Sequence, residues 1–336
     1  MAATDTILEI QALTIRFHTR QGQVTAVDGL DLSVERGRVL GLVGESGCGK
    51  TVMSRSLLRI EAPGKIEGGQ IHFVPGSGTG VALETLDPLG GVIRKIRWKE
   101  IAMIFQEPMT SFGPQHTIGA QIGEALALHG VARGDELWPA VVACLESVGM
   151  PRPEETARQY PYQLSGGMCQ RAMIAMALSC SPRLLIADEP TTALDVATES
   201  QILELLRERQ AALGMSIVYI SHNLGVVAHI AHEVAVMYLG RIVERAPVDI
   251  LFSSPKHPYT GALLRSIPRV DRDCARPLEV LSGNVPEPFA RPAGCSFHPR
   301  CPQRMAGICD QVAPVWQRLE DGSEVSCHLY REGAHG

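Results

Sequence analysis

Lysine is scarce in this chain: only Lys50, Lys65, Lys95, Lys99 and Lys256 carry an ammonium group among 31 basic residues, and 36 acidic residues outnumber them all. A net charge of −5 lacks the basic footprint of sequence-independent nucleic-acid binding, so nucleic acid is not an expected partner. Aromatic residues make up only 5%. No stretch of about 18 apolar residues runs without a charge or breaker. The richest, 217–240, is interrupted by His222, Asn223, His229, His232 and Glu233, so no membrane span is expected. The N-terminus, MAATDTILEIQ, lacks a basic segment followed by an apolar one, and no secretory signal is expected. Internal repeats and coiled-coil heptads are also missing.

What is present describes a folded chain of α/β type. Its 336 residues, 45% of them hydrophobic, allow two domains or one large domain with an appendage. Short strands are predicted through residues 7–43, ending in the buried run Val39-Leu40-Gly41-Leu42-Val43. A Gly-rich turn precedes a predicted helix from Lys50 to about Arg59. Strands follow at Gln70–Val74 and Ile101–Gln106, separated by a Gly/Pro-rich stretch at 75–91 that reads as a surface loop. Helical periodicity from Glu107 to about Leu164 marks an insert. After it come a helix at 166–179, a strand at Leu184–Ala187, a helix at 196–213, a strand at Ser216–Ile220, a helix at about 224–231 and a strand at Val234–Tyr238. Such alternation predicts a mainly parallel sheet covered by helices. Beyond about Pro268 the chain is rich in proline and cysteine and loses clear periodicity.

Three constellations carry chemistry. Gly44-Glu45-Ser46-Gly47-Cys48-Gly49-Lys50-Thr51 fits the phosphate-loop pattern and lies between a buried strand and a helix. There glycines let backbone amides curl around phosphates, Lys50 reaches the terminal ones and the Thr51 hydroxyl ligates Mg²⁺. The apolar strand Leu184–Ala187 ends in Asp188 and Glu189, one carboxylate for Mg²⁺ and one to polarise an attacking water. Leu164-Ser165-Gly166-Gly167-Met168-Cys169-Gln170-Arg171 opens a second helix with an anion-binding turn. One nucleotide does not easily occupy two such turns in one chain, so the second is expected to serve a nucleotide held by another subunit.

These motifs resemble those of the ATP-binding subunits of ATP-binding-cassette (ABC) transporters. Leu164–Arg171 is similar to the family signature, Gln106 to its Q-loop, Thr192-Ala193-Leu194-Asp195 to its D-loop and His222 to its switch histidine. The resemblance implies a P-loop NTPase cassette over residues 1–267, with a RecA-like core, an antiparallel β subdomain and a helical insert at about 107–165. It implies ATP and Mg²⁺ as ligands and a head-to-tail dimer of cassettes, in which Ser165, Gly166 and Gly167 face the partner's nucleotide. By the same resemblance Gln106 senses the nucleotide and helps hold Mg²⁺ with Thr51 and Asp188. His222 contacts the γ-phosphate, Glu189 is the general base, and Phe17 stacks on adenine.

Met103–Ser111, Gln163–Met168 and His257–Leu264 resemble the oligopeptide/dipeptide importer branch in particular. That implies an ATPase on the cytoplasmic face of the plasma membrane, working with two permease subunits, a second and paralogous ATPase subunit, and an extracytoplasmic binding protein. Nickel complexes, opines, glutathione and oligosaccharides are alternative cargoes. A soluble non-transport ABC ATPase is a further alternative, although a second cassette, a coiled-coil insertion and a basic surface are all missing. The chain departs from the branch at Cys48, Phe112-Gly113, Cys169 and Asn223.

Nine cysteines divide unevenly. Those at 48, 144, 169, 180 and 274 are scattered, as reduced thiols are, whereas Cys295, Cys301, Cys309 and Cys327 crowd together in the tail, 268–336. From spacing alone, a metal site and four buried thiols are equally open. The importer resemblance implies a [4Fe–4S] cluster, with zinc as the alternative. Cys48, beside a helix N-terminus and Lys50, is either a Ser-sized filler or a thiol of lowered pKa that makes ATPase activity sensitive to oxidation.

Overall fold

The computed structural model describes residues 6–76, 78–192, 194–267, 283–286, 289 and 291–331. The chain divides into two compact units, one built from residues 1–8, 34–39 and 72–220, the other from 9–33, 40–71 and 221–336.

In the first unit the apolar runs become the parallel strands Ile101–Ile104, Leu184–Asp188 and Ser216–Ser221, every residue of which is buried. Ile101 pairs with Leu184, and Leu184 with Ser216, so the three C-terminal ends share one edge. Continuous apolar sequence is what a strand covered on both faces requires. Helices Gly166–Leu178 and Val196–Leu213 belong to this unit. The insert contributes Pro108–Ser111, Ile118–Leu128, Leu137–Ser147 and Pro153–Ala157. Its helices pack closely: a Cβ on Gly119 would stand 2.7 Å from the Ala157 carbonyl oxygen.

The second unit holds the phosphate loop. Strand Val39–Val43 runs parallel to Glu233–Tyr238, Leu40 opposite Glu233. Strand Arg241–Pro247 returns antiparallel, and two three-residue strands, Glu324–Ser326 and Trp316–Arg318, extend the ladder from it. The N-terminal strands Gly22–Glu35, Thr6–Thr19 and Lys65–Phe73 lie side by side in that order.

The predicted α/β order holds, with local differences. The stretch at 75–91 is not all loop: Val81–Ala82 pairs antiparallel with His72–Phe73, and Leu83 in the following 3₁₀ turn is fully buried. A single anchoring leucine fixes it where composition suggests only turns. The tail likewise contains strands, each too short to show a period of two. The first helix stops at Ser56, three residues early, and the chain then turns through a left-handed Arg59.

Gly41, in the middle of its strand, has no room for a side chain: a Cβ there would lie 2.4 Å from Val227 Cγ1 and 3.2 Å from Ala231 Cβ. Gly41→Ala is therefore expected to destabilise the fold by about 1–3 kcal/mol through overpacking. Urea denaturation measures it, and an unchanged midpoint would contradict this packing.

Candidate functional site: a phosphate loop and a carboxylate edge

The phosphate loop leaves the buried end of Val39–Val43 and enters helix Lys50–Ser56. Two of its glycines are enforced by close backbone approach. A Cβ on Gly44 would sit 2.2 Å from the Met237 carbonyl oxygen, and one on Gly49 would sit 2.2 Å from that of Ala26. Gly49 also caps the helix at φ 107°, a left-handed conformation that side chains resist. The buried Lys50 donates to the carbonyls of Gly44 at 2.7 Å and Glu45 at 3.0 Å, which holds its ammonium within the loop. Thr51 is half-buried, while Ser46, Gly47 and His222 are exposed.

Beside the loop lies a cavity of about 330 Å³, walled by Val24–Ala26, Ser46–Cys48, Leu239, Gly240, Val285, Pro286 and Arg291. Phe17 is not among these residues. Its ring lies over Gly64, whose added Cβ would meet Phe17 Cζ at 2.9 Å.

Cys48 is packed as a filler would be. It is 4% exposed, and burial pushes its thiol above the ordinary value, with the Lys50 ammonium 3.7 Å away opposing the shift without reversing it. Of the two readings, the raised thiol favours the Ser-sized filler over the lowered, oxidation-prone thiol, because desolvation of a thiolate outweighs one neighbouring charge.

In the other unit, Asp188 and Glu189 close their strand. Asp188 is buried at 2% exposure, the setting in which a carboxylate is suited to neutralisation by a divalent cation. Glu189 adopts φ 48°, unusual for a residue with a side chain, and its amide donates to the Ile220 carbonyl at 2.9 Å. Its carboxylate accepts from Gln106 Nε2 at 2.8 Å and from the Thr192 hydroxyl at 3.0 Å. The structure thus brings Gln106 to Glu189, and adds Thr192, a contact that sequence reading passed over although the residue stands in the quoted D-loop stretch.

The other candidate residues are helix caps. Ser165 accepts from the Met168 amide at 3.4 Å and starts Gly166–Leu178, leaving Ser165 and Gly166 exposed. A Cβ on Gly167 would meet Thr198 Cγ2 at 3.0 Å. Asp195 caps Val196–Leu213, and bonds from the Thr198 amide and hydroxyl hold its carboxyl below the usual range. Ala193, between Thr192 and Asp195, lies outside the described residues, as does Cys274.

The four tail cysteines come together. Cys295, Cys301, Cys309 and Cys327 line one cavity with Phe297, Met305 and Leu329. Burial raises the thiol of Cys295 and of Cys301 and pushes that of Cys327 up to about 12, with proximity of the other sulfurs adding to it. Four soft donors around one apolar cavity fit a thiolate-bound iron or zinc group chemically. Among the described residues, however, no group of three or more His, Cys, Asp or Glu side chains is pre-arranged to hold a metal ion. His298 and His328 turn a ring nitrogen to the carbonyls of Cys295 and Val312.

Comparison with known proteins decides the family. The chain matches the family model "ABC transporter" over residues 27–192 and "Oligopeptide/dipeptide transporter, C-terminal region" over 243–309. It is 44% identical over 329 residues to the oligopeptide transport ATP-binding protein AppD of Bacillus subtilis, covering 97% of this chain and 98% of that one. With the dipeptide transport ATP-binding protein DppD of Escherichia coli it shares 42% identity over 323 residues, 96% of each chain. The chain belongs to the oligopeptide/dipeptide branch of the ABC ATP-binding proteins.

The fold of this ABC chain agrees. It is similar to cbiO1 from Clostridium perfringens, part of the ABC transporter complex cbiONQ, with TM-score 0.61 and 26% identity over 74% of this chain and 92% of that one. It also shares its fold with the cassette MJ0796, solved as a dimer bound to ADP and Pi, with TM-score 0.63 and 24% identity over 72% and 98%. Among the described residues, no helix of this ABC chain is long and apolar enough to cross a membrane.

A raised Cys48 pKa means that the folded chain keeps a proton which the unfolded chain releases in the ordinary thiol range. Alkylation of Cys48 by iodoacetamide at about pH 8 is therefore expected to be slower in the folded protein than in urea, with a rate still climbing above that range. Peptide mass mapping reads the modification, and fast labelling of Cys48 at neutral pH in the folded protein would contradict its burial.

Proposed function

We propose that this chain is the ATP-hydrolysing subunit that powers import of di- and oligopeptides through separate membrane permeases. The observation that carries the reading is the carboxylate of Glu189, gripped by Gln106 and Thr192 next to the buried Asp188, in a chain that also has a complete phosphate loop. The loop amides and Lys50 take the phosphates of ATP, offsetting charge that builds on the γ-phosphate. Thr51, Asp188 and Gln106 are the residues to hold Mg²⁺, which supplies further charge neutralisation. Glu189 accepts the proton of the attacking water, and its two hydrogen-bond donors hold the carboxylate in one orientation. His222 is assigned to the γ-phosphate and Phe17 to the adenine.

Ser165 and Gly166, exposed at the start of their helix, and the half-buried Gly167 are assigned to the nucleotide of a second and paralogous ATPase subunit, with Asp195 beside that interface. ATP binding closes the pair, hydrolysis reopens it, and the motion passes to two permease subunits on the cytoplasmic side of the plasma membrane. An extracytoplasmic binding protein delivers the peptide. The tail cysteines are assigned to a [4Fe–4S] cluster, which organises a segment poor in regular structure.

Glu189→Gln keeps the hydrogen-bonding shape and removes the base. Phosphate release is expected to fall by roughly 10²–10⁴-fold with ATP binding retained. Wild-type turnover in the variant would dismiss Glu189 as the base, and failure of peptides with their binding protein to stimulate the assembled transporter would dismiss the substrate class. For the tail, anaerobically purified protein is expected to be brown, absorbing near about 400 nm, and to bleach in Cys309→Ser. Colourless protein carrying stoichiometric zinc would replace iron–sulfur with zinc.

A further inference from the structure

The turn that carries Cys295 and Cys301 also reaches the phosphate loop. Arg300, with a side chain only 4% exposed, sets Nη1 2.7 Å and Nη2 3.0 Å from the two carboxylate oxygens of Glu45, the second residue of the loop. A two-pronged guanidinium–carboxylate pair fixes direction as well as distance. The guanidinium is itself held, 5.9 Å from the Tyr238 ring centroid and 3.5 Å from that tyrosine's hydroxyl. Phe297, from the same cysteine-bearing turn, stands edge-on to Tyr238 at 5.3 Å and tilted to Tyr259 at 5.3 Å. The Tyr259 hydroxyl in turn accepts the Glu45 amide at 2.9 Å. Glu45 is thereby held through backbone and side chain by residues 210 positions or more further along the chain.

The electrostatic reason is direct. A carboxylate within a loop that must receive polyphosphate repels its ligand, and at this range the repulsion is significant unless a cation neutralises it. Arg300 neutralises Glu45 and draws its carboxylate onto the buried aromatic platform.

We propose that Arg300 is a positioning residue for the ATP reaction: by neutralising the Glu45 carboxylate it keeps the phosphate loop receptive to nucleotide, and so ties ATP affinity to the cysteine-bearing turn at 295–301. This rests on the ATPase reading above. The test measures binding of trinitrophenyl-ATP to the full chain, alongside KM and kcat for ATP. In Arg300→Gln the dissociation constant and KM are expected to rise about tenfold, with kcat changed by less than about threefold, because the loss is in binding. Arg300→Lys, which keeps the charge on one prong, is expected to fall between. In the double variant Glu45→Gln/Arg300→Gln the unpaired carboxylate is gone and most of the affinity returns, a rescue that a purely structural role for Arg300 does not produce.

Affinity unchanged in Arg300→Gln, or a double variant as weak as the single, would overturn the proposal. Should Arg300→Gln fail to fold, Arg300→Lys carries the test: binding at least about threefold weaker supports the role and unchanged binding overturns it. A wild-type chain that binds no ATP analogue would instead sink the ATPase reading itself.

Discussion

A loop that offers its amides to a phosphate must turn its backbone inward, and here it does so while touching two neighbouring carbonyls. Gly44 and Gly49 meet the carbonyl oxygens of Met237 and Ala26 at distances that exclude any Cβ. Further hydrogen bonds stitch the same region, with Gly240 donating to the Cys48 carbonyl and Asp28 donating to that of Gly240. The loop is thus held from the strand Glu233–Tyr238 and from the N-terminal strands together. Its curvature belongs to the surrounding sheet as much as to its own sequence, which is why the two glycines and the segments opposite them form one constraint.

On the carboxylate edge the same economy appears in another form. Ser165 and Asp195 each start a helix by accepting an amide of its first turn, and each is also the residue for which a nucleotide or interface role is proposed. A cap must stand at the exposed helix N-terminus, where orphan amides and the positive end of the helix dipole also attract anions. Substitution at either position therefore costs cap stability, about 1 kcal/mol, before any effect on the reaction is counted. Glu189 shows a related trade: its left-handed backbone is an expense of order 1–3 kcal/mol, sustained by the Ile220 carbonyl on its amide and by two donors on its carboxylate.

Much of this was legible in the sequence because the motifs are contiguous. A buried strand, a glycine loop and a helix in succession can hardly fold otherwise, and Leu184–Asp188 announces itself by unbroken apolar character. What escaped reading depends on distance along the chain. Nothing near Glu45 predicts Arg300, and Tyr259, although inside the quoted His257–Leu264 motif, has its role only through a partner 214 residues away. Leu83 and the short tail strands escaped because two or three residues carry no period. The two readings of Cys48 stayed open in sequence for a different reason: the helix terminus and Lys50 are visible there, whereas desolvation is a property of the fold.

The scarcity of lysine then acquires a meaning. Most ion pairs in the second unit are made by arginine, Arg300 with Glu45, Arg245 with Glu233, Arg241 with Asp28 and Arg16 with Glu67, while Lys256 pairs with Asp321 in the tail. A planar guanidinium locks a carboxylate into one orientation, which suits structure. Lys50 has the opposite task. A compact ammonium on a flexible stem can exchange loop carbonyls for phosphate oxygens without a preferred plane, which a forked guanidinium held by two prongs does poorly. Lysine at the loop and arginine around it therefore separate the charge that must move from the charges that must not.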